Sequence, residues 1–89
     1  MIRYTVTFKG RVQGVGFRFT ARRVASDLRV SGWVRNEADG SVRMVAEGTG
    51  RELDRFVKGI QDALDGYIES TQIGKEPAHG EFKGFSIRY

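Results

Sequence analysis

Near its start the chain changes the period of its apolar residues once, and three glycines lie at the change. Tyr4, Val6 and Phe8 alternate with Arg3, Thr5 and Thr7, the period-two pattern of a half-buried strand. From Phe17 the apolar residues recur at Ala21, Val24, Ala25 and Leu28, one face of a helix whose other side carries Arg22, Arg23 and Asp27. Between them runs Gly10 to Arg18, GRVQGVGFR, where a strand has to turn directly into a helix. Glycine lets the backbone adopt conformations that other residues avoid and approach a ligand closely. Successive N–H groups in such a turn form an anion-binding concavity, and a helix N-terminus adds unpaired donors and a favourable dipole. Arg18 adds a planar, permanently charged fork that matches phosphate geometry. The stretch reads as an anion cradle of main-chain N–H groups from Gln13, Gly14, Val15, Gly16 and Phe17, completed by Arg18, with the Gln13 side chain ordering the loop. Glycine density alone would equally serve a tight connection, so the arginine carries the weight.

Downstream, Val30 to Arg35 reads as a second strand with Asn36 at its end. Asp39-Gly40 is a hairpin signal, and Val42, Met44 and Ala46 alternate along a third strand. Thr49-Gly50-Arg51-Glu52 has capping-box spacing, and Leu53, Phe56, Val57, Ile60 and Leu64 mark the buried stripe of a second helix that Gly66 is expected to stop. Tyr67 to Ile73 is weakly strand-like, Gly74 to Gly80 reads as a loop, and Phe82 to Tyr89 ends in a last strand with Phe85 and Ile87 on one face. This order predicts an α+β fold, a ferredoxin-like α/β sandwich (βαββαβ) with an antiparallel sheet of four to five strands and two helices on one face. At 89 residues the chain is expected to be a single domain, 1–89, with one modest core.

Composition removes several chemistries. Without cysteine there is no thiolate metal site, no disulfide and no cysteine nucleophile. No apolar run approaches the roughly 20 residues of a membrane span, so no membrane association and a cytoplasmic location are expected. The charge is uneven: up to Asn36 eight Lys or Arg face the single acid Asp27, giving +7, and the remainder is −3. A positive half focuses anionic ligands toward itself, although most of these arginines read as ordinary solubilising surface.

The loop is not a P-loop, because G-x-x-x-x-G-K-[ST] is missing, nor a dinucleotide fingerprint. Trp33, a lone tryptophan in a strand beside valines, reads as core or half-core. His79 stands among Pro77, Ala78 and Gly80 without a second ligand at metal spacing and reads as a loop residue. Asp54, Asp62 and Asp65 read as the solvated face of the second helix, and Ser41, Ser70 and Ser86 lack a partnering base. Nothing suits nucleophilic catalysis, which leaves chemistry by positioning.

The sequence resembles the acylphosphatase family along nearly its whole length. GRVQGVGFR matches the family's first signature, GWVRN (Gly32 to Asn36) followed by DG its second, and FSIRY (Phe85 to Tyr89) the end of several members. The resemblance implies hydrolysis of the carboxyl–phosphate anhydride of small acyl phosphates to carboxylate and inorganic phosphate, without cofactor or metal. It carries the family's catalytic arginine onto Arg18, its water-positioning asparagine onto Asn36, and its phosphate-binding amides onto Gln13 to Phe17. Arg29 departs from the small residue or glycine of many relatives, a difference that bears on how the first helix ends. The same motifs occur in an N-terminal module of larger hydrogenase-maturation proteins; this chain is expected to be free-standing and monomeric. Two other readings compete: a phosphate-binding or regulatory module without turnover, and an RNA-binding ferredoxin-like domain. Lys83-Gly84-Phe85 matches only a fragment of an RNA-binding motif, so no nucleic-acid partner is expected.

Overall fold

A computed structural model describes residues 1–89, and every apolar period read above becomes an element. The order is β1 (Ile2–Gly10), α1 (Phe17–Ala25), β2 (Ser31–Asn36), β3 (Val42–Gly48), α2 (Gly50–Ala63), β4 (Ile68–Pro77) and β5 (Phe85–Arg88). The strands form one sheet in the order β4-β1-β3-β2-β5. Tyr4, Val6 and Phe8 of β1, Val34 of β2, and Val42, Met44 and Ala46 of β3 point to one face, where they meet Ala21 and Ala25 of α1 and Leu53, Phe56, Val57 and Ile60 of α2. Phe8 packs on Phe17 and Phe56 meets Phe85 edge-on, with ring centroids 4.9 Å and 5.1 Å apart. No helix is long and apolar enough to cross a membrane.

The ferredoxin-like order holds, with one departure from an all-antiparallel sheet. β1 pairs antiparallel with β3 and β4, and β2 with β3, but β5 joins β2 in parallel, making the sheet mixed. β4 lies at one edge and β5 at the other, so the chain must cross the sheet between them. Glu47 anchors that crossing: its nearly buried carboxylate accepts from the backbone N–H of His79 (2.7 Å) and Gly80 (3.0 Å) and from Arg3 Nε (2.8 Å). Burial pushes the Glu47 carboxyl up, but those donors together hold it below the ordinary carboxylate range.

Four local expectations are corrected. β4 runs on through Gly74 to Pro77 because its full length pairs with β1; the proline ends an edge strand, where its missing N–H costs no ladder bond. β5 starts at Phe85, not Phe82. Only half of the capping box forms: Thr49 accepts from Glu52 N at 3.2 Å, while the Glu52 carboxylate receives the Arg29 N–H at 3.0 Å and Arg55 Nη1 at 3.1 Å. Arg29 thus marks the end of the turn after α1 by tying its backbone to the start of α2. Finally, Asp54 is not merely solvated, since it accepts from the buried Tyr4 hydroxyl at 2.6 Å.

Candidate active site

The join between β1 and α1 is built on glycine geometry. Gly14 (φ 77) and Gly16 (φ 75) both sit in the left-handed region, and a Cβ on either would meet nothing within 4 Å. Conformation, not crowding, therefore selects glycine here, and the space beside the backbone is open to a ligand. Gly16 caps α1 without any side-chain acceptor, and no acidic residue occupies the first turn. No protein oxygen accepts from the N–H groups of Gln13 to Phe17. Unpaired donors converging at a helix N-terminus form an anion site by their dipoles alone.

A cavity of about 130 Å³ opens beside these amides, lined by Val12, Gly14, Gly16, Phe17, Arg18, Phe19 and Asn36. The sequence-predicted pair, Arg18 and Asn36, thus shares one pocket although 18 positions separate them. Asn36 reaches it by register: it continues the helix-side face of β2 one step beyond Val34, opposite the core residue Val42. Its Oδ1 is buried and accepts no hydrogen bond from the protein. A buried orphan acceptor costs about 1–3 kcal/mol, so one facing a binding pocket calls for a donor supplied by a ligand or by water. No carboxylate lines the pocket.

Arg18 is held from the far edge of the sheet. Its Nη1 donates to the Arg88 carbonyl at 3.2 Å, and its Cζ lies 4.7 Å from the centroid of the Tyr89 ring. One of five guanidinium N–H groups is thereby used for orientation, leaving the others for an anion. Sequence reasoning missed both partners; the FSIRY ending was the available signal, but only the β2–β5 pairing shows that it arrives next to Arg18. Gln13 and Val15 are not among the lining side chains. Gln13 Nε2 instead donates to the carbonyls of Glu37 (2.7 Å) and Ser41 (2.9 Å), pinning the loop to the hairpin that carries Asn36. Asp39 tightens that hairpin by accepting from Ser41 N and Oγ, at 2.9 Å and 2.6 Å; the Ser41 hydroxyl and N–H hold its carboxyl below the ordinary carboxylate range.

Trp33 is buried, as expected, but on the sheet face opposite the helices, beneath the guanidinium groups of Arg35 and Arg88. His79 contributes its backbone to Glu47 and leaves its ring 3.8 Å from Glu76 alone.

Comparison with known proteins bears on this pocket. A model of the acylphosphatase family matches residues 4–87. Among relatives, an acylphosphatase from Bacillus licheniformis is 46% identical over 90 residues, covering 100% of both chains. One from Paenarthrobacter aurescens is 42% identical over 87 residues, covering 97% of this chain and 93% of the other. The crystal structure of acylphosphatase from Bacillus subtilis superposes with a TM-score of 0.92 at 32% identity, covering 100% of each chain.

Proposed function

The chain belongs to the acylphosphatase family, hydrolases of acyl phosphates, and from that premise we propose that its reaction runs in the pocket shared by Arg18 and Asn36, by direct attack of a positioned water. The phosphoryl oxygens sit among the N–H groups of Gln13 to Phe17, with the Arg18 guanidinium bridging them. The Asn36 carboxamide holds a water in line with the leaving oxygen, Oδ1 taking one of its hydrogen bonds. The water oxygen forms the new P–O bond as the bond from phosphorus to the carboxyl oxygen breaks. The electron pair leaves on the carboxylate, and both water protons end on the inorganic phosphate. A loose, charge-rich phosphoryl transition state asks for positioning and electrostatic stabilisation more than covalent help. A carboxylate is a weak base, so its departure needs no strong general acid.

The observation that carries this reading is the convergence of a row of unpaired amides, a guanidinium and an orphan amide oxygen on one small pocket free of acids. Hydrolysis of benzoyl phosphate in the presence of EDTA tests it. Losing one preorganised donor removes about 2.7–4 kcal/mol of transition-state stabilisation, so Arg18→Ala should nearly abolish turnover and Asn36→Ala should lower kcat roughly a hundredfold or more. Arg18→Ala should also weaken competitive inhibition by inorganic phosphate, while Asn36→Ala leaves it mostly intact. Unchanged phosphate inhibition in Arg18→Ala would remove that residue from the site. The same reading takes residues 1–89 as one domain, monomeric and in the cytoplasm, with light scattering and cell fractionation as the checks. Support for the monomer comes from the spread of the exposed large apolar side chains: Phe19 lies on α1, Ile73 on β4, Tyr67 just before β4, and Met1 and Tyr89 at the two ends of the chain.

A further inference from the structure

On the sheet face turned away from the helices, three arginines stand side by side. The register sets Arg43 of β3 directly opposite Arg35 of β2, and Arg35 beside Arg88 of β5. Strands lie about 4.8 Å apart, so three like charges fall within roughly 10 Å. Like charges directly opposite one another destabilise a sheet. The protein offsets this only in part. Arg35 pairs with Glu37 at 3.2 Å, while Arg43 and Arg88 have no carboxylate within ion-pair distance. Arg35 and Arg88 also stack on Trp33, with Cζ 4.9 Å and 4.6 Å from its ring, which fixes the two guanidinium groups in place. Arg43, Arg88 and Trp33 line one end of a depression of about 490 Å³. The acids that share it, Glu76 and Glu81, lie toward the other end, where Glu81 is bonded to Arg3.

We propose that this row is a second anion site, separate from the catalytic pocket, that binds the triphosphate group of an inorganic polyphosphate or a nucleoside triphosphate. Three guanidinium groups spaced over about 10 Å, the middle one shared with Glu37, match a short chain of linked phosphates and exceed what a single orthophosphate can engage. The ring in the row is already covered by two guanidinium groups and is 8% exposed, and Phe82, the other aromatic lining the depression, lies under the Arg3 guanidinium, so neither offers a bare platform for stacking the bases of a nucleic-acid strand. Binding would relieve the mutual repulsion of the row and would weaken as salt screens it.

Trp33 is the sole tryptophan, so its fluorescence reports directly on the row. Inorganic tripolyphosphate and ATP should each change its emission saturably at low salt, and orthophosphate over the same range should not. Equal midpoints for the two ligands assign the site to the phosphate chain itself, and a tighter midpoint for ATP assigns it to the nucleotide. Arg43 is exposed and outside the catalytic pocket. Arg43→Gln should therefore weaken tripolyphosphate binding at least fivefold while leaving the melting temperature without ligand and the turnover of benzoyl phosphate near wild type. Arg18→Ala should leave the emission change in place. No emission change, or one lost in Arg18→Ala and kept in Arg43→Gln, would overturn the proposal. So would tighter binding of a single-stranded RNA oligonucleotide than of tripolyphosphate.

Discussion

Replacing Gln13 by alanine should cost more in turnover than in stability. Its side-chain amide is the clamp between the glycine loop and the hairpin that presents Asn36, with both bonds made from one nitrogen to the carbonyls of Glu37 and Ser41. Each such bond contributes about 0.5–1.5 kcal/mol net. The Ser41 carbonyl also accepts the Glu37 N–H, and the Glu37 carbonyl lies near solvent, so neither is stranded when the clamp is removed. The stability loss should therefore be about 1–3 kcal/mol, a drop in melting temperature of roughly 4–8 °C for each kcal/mol in a domain of this size. Turnover is more sensitive. Asn36 immediately precedes Glu37, and a catalytic group displaced by about 1 Å can cost on the order of a hundredfold.

Steady-state hydrolysis of benzoyl phosphate should show kcat lowered between ten- and a hundredfold in Gln13→Ala, with KM and phosphate inhibition changed far less, because the amide cradle and Arg18 remain. Gln13→Glu keeps the size but presents acceptor oxygens to two carbonyls, so it should lower kcat as well. A Gln13→Ala enzyme that loses the expected stability yet turns over within twofold of wild type would show that the hairpin positions Asn36 unaided.

Phe56→Ala removes a fully buried ring that meets Phe85 edge-on, so it should cost about 3–5 kcal/mol in urea unfolding; it should also loosen β5 and, with it, the carbonyl that orients Arg18. Tyr4→Phe deletes the bond to Asp54 and should cost about 1–2 kcal/mol, whereas a destabilisation below a few tenths would mean that water replaces the contact freely. Because the folded Glu47 carboxyl is held below its unfolded value, its contribution is complete above the ordinary carboxylate range and is lost as pH falls through the folded value. Urea midpoints measured from neutral pH downward should therefore fall less steeply in Glu47→Gln than in wild type, and parallel curves would refute the assignment.

What the sequence disclosed follows from range. Periods of 2 and 3.6 are local, so β1, α1, the β2–β3 hairpin and α2 could be read from apolar spacing, and Arg18 could be singled out because it follows a glycine loop at a helix start. Asn36 could be placed at a strand end, and its resemblance to a family motif supplied the role that spacing could not. The missed features depend on partners far along the chain. β4 has no buried residue, only the half-buried Ile68 and Thr71, and exists through its ladder with β1. The Glu47 carboxylate owes its position to residues 79 and 80, which no pattern near Glu47 announces. Trp33 looked like core or half-core, but alternation with Val34 turns it to the other face, under the guanidinium groups of Arg35 and Arg88.

That alternation also ties the two proposed anion sites to each other. Along β2, Val34 and Asn36 face the helices while Trp33 and Arg35 face away, so the asparagine proposed to position water and the arginine row are successive residues on opposite sides of one strand. Because side chains alternate with period two, a slip of one residue between β2 and β3 would exchange them, sending Asn36 to the outer face and Arg35 into the core. Two devices oppose the slip. Val34 opposite Met44 fixes the pairing by burial, and the turn fixes it by geometry, with Gly40 at φ 91 and Asp39 holding Ser41. Gly40→Val strains the turn without touching the core, so a loss of turnover accompanied by a change in Trp33 emission would show that the turn helps to set the register. If the core alone sets the register, this variant should keep both wild-type turnover and the wild-type Trp33 emission.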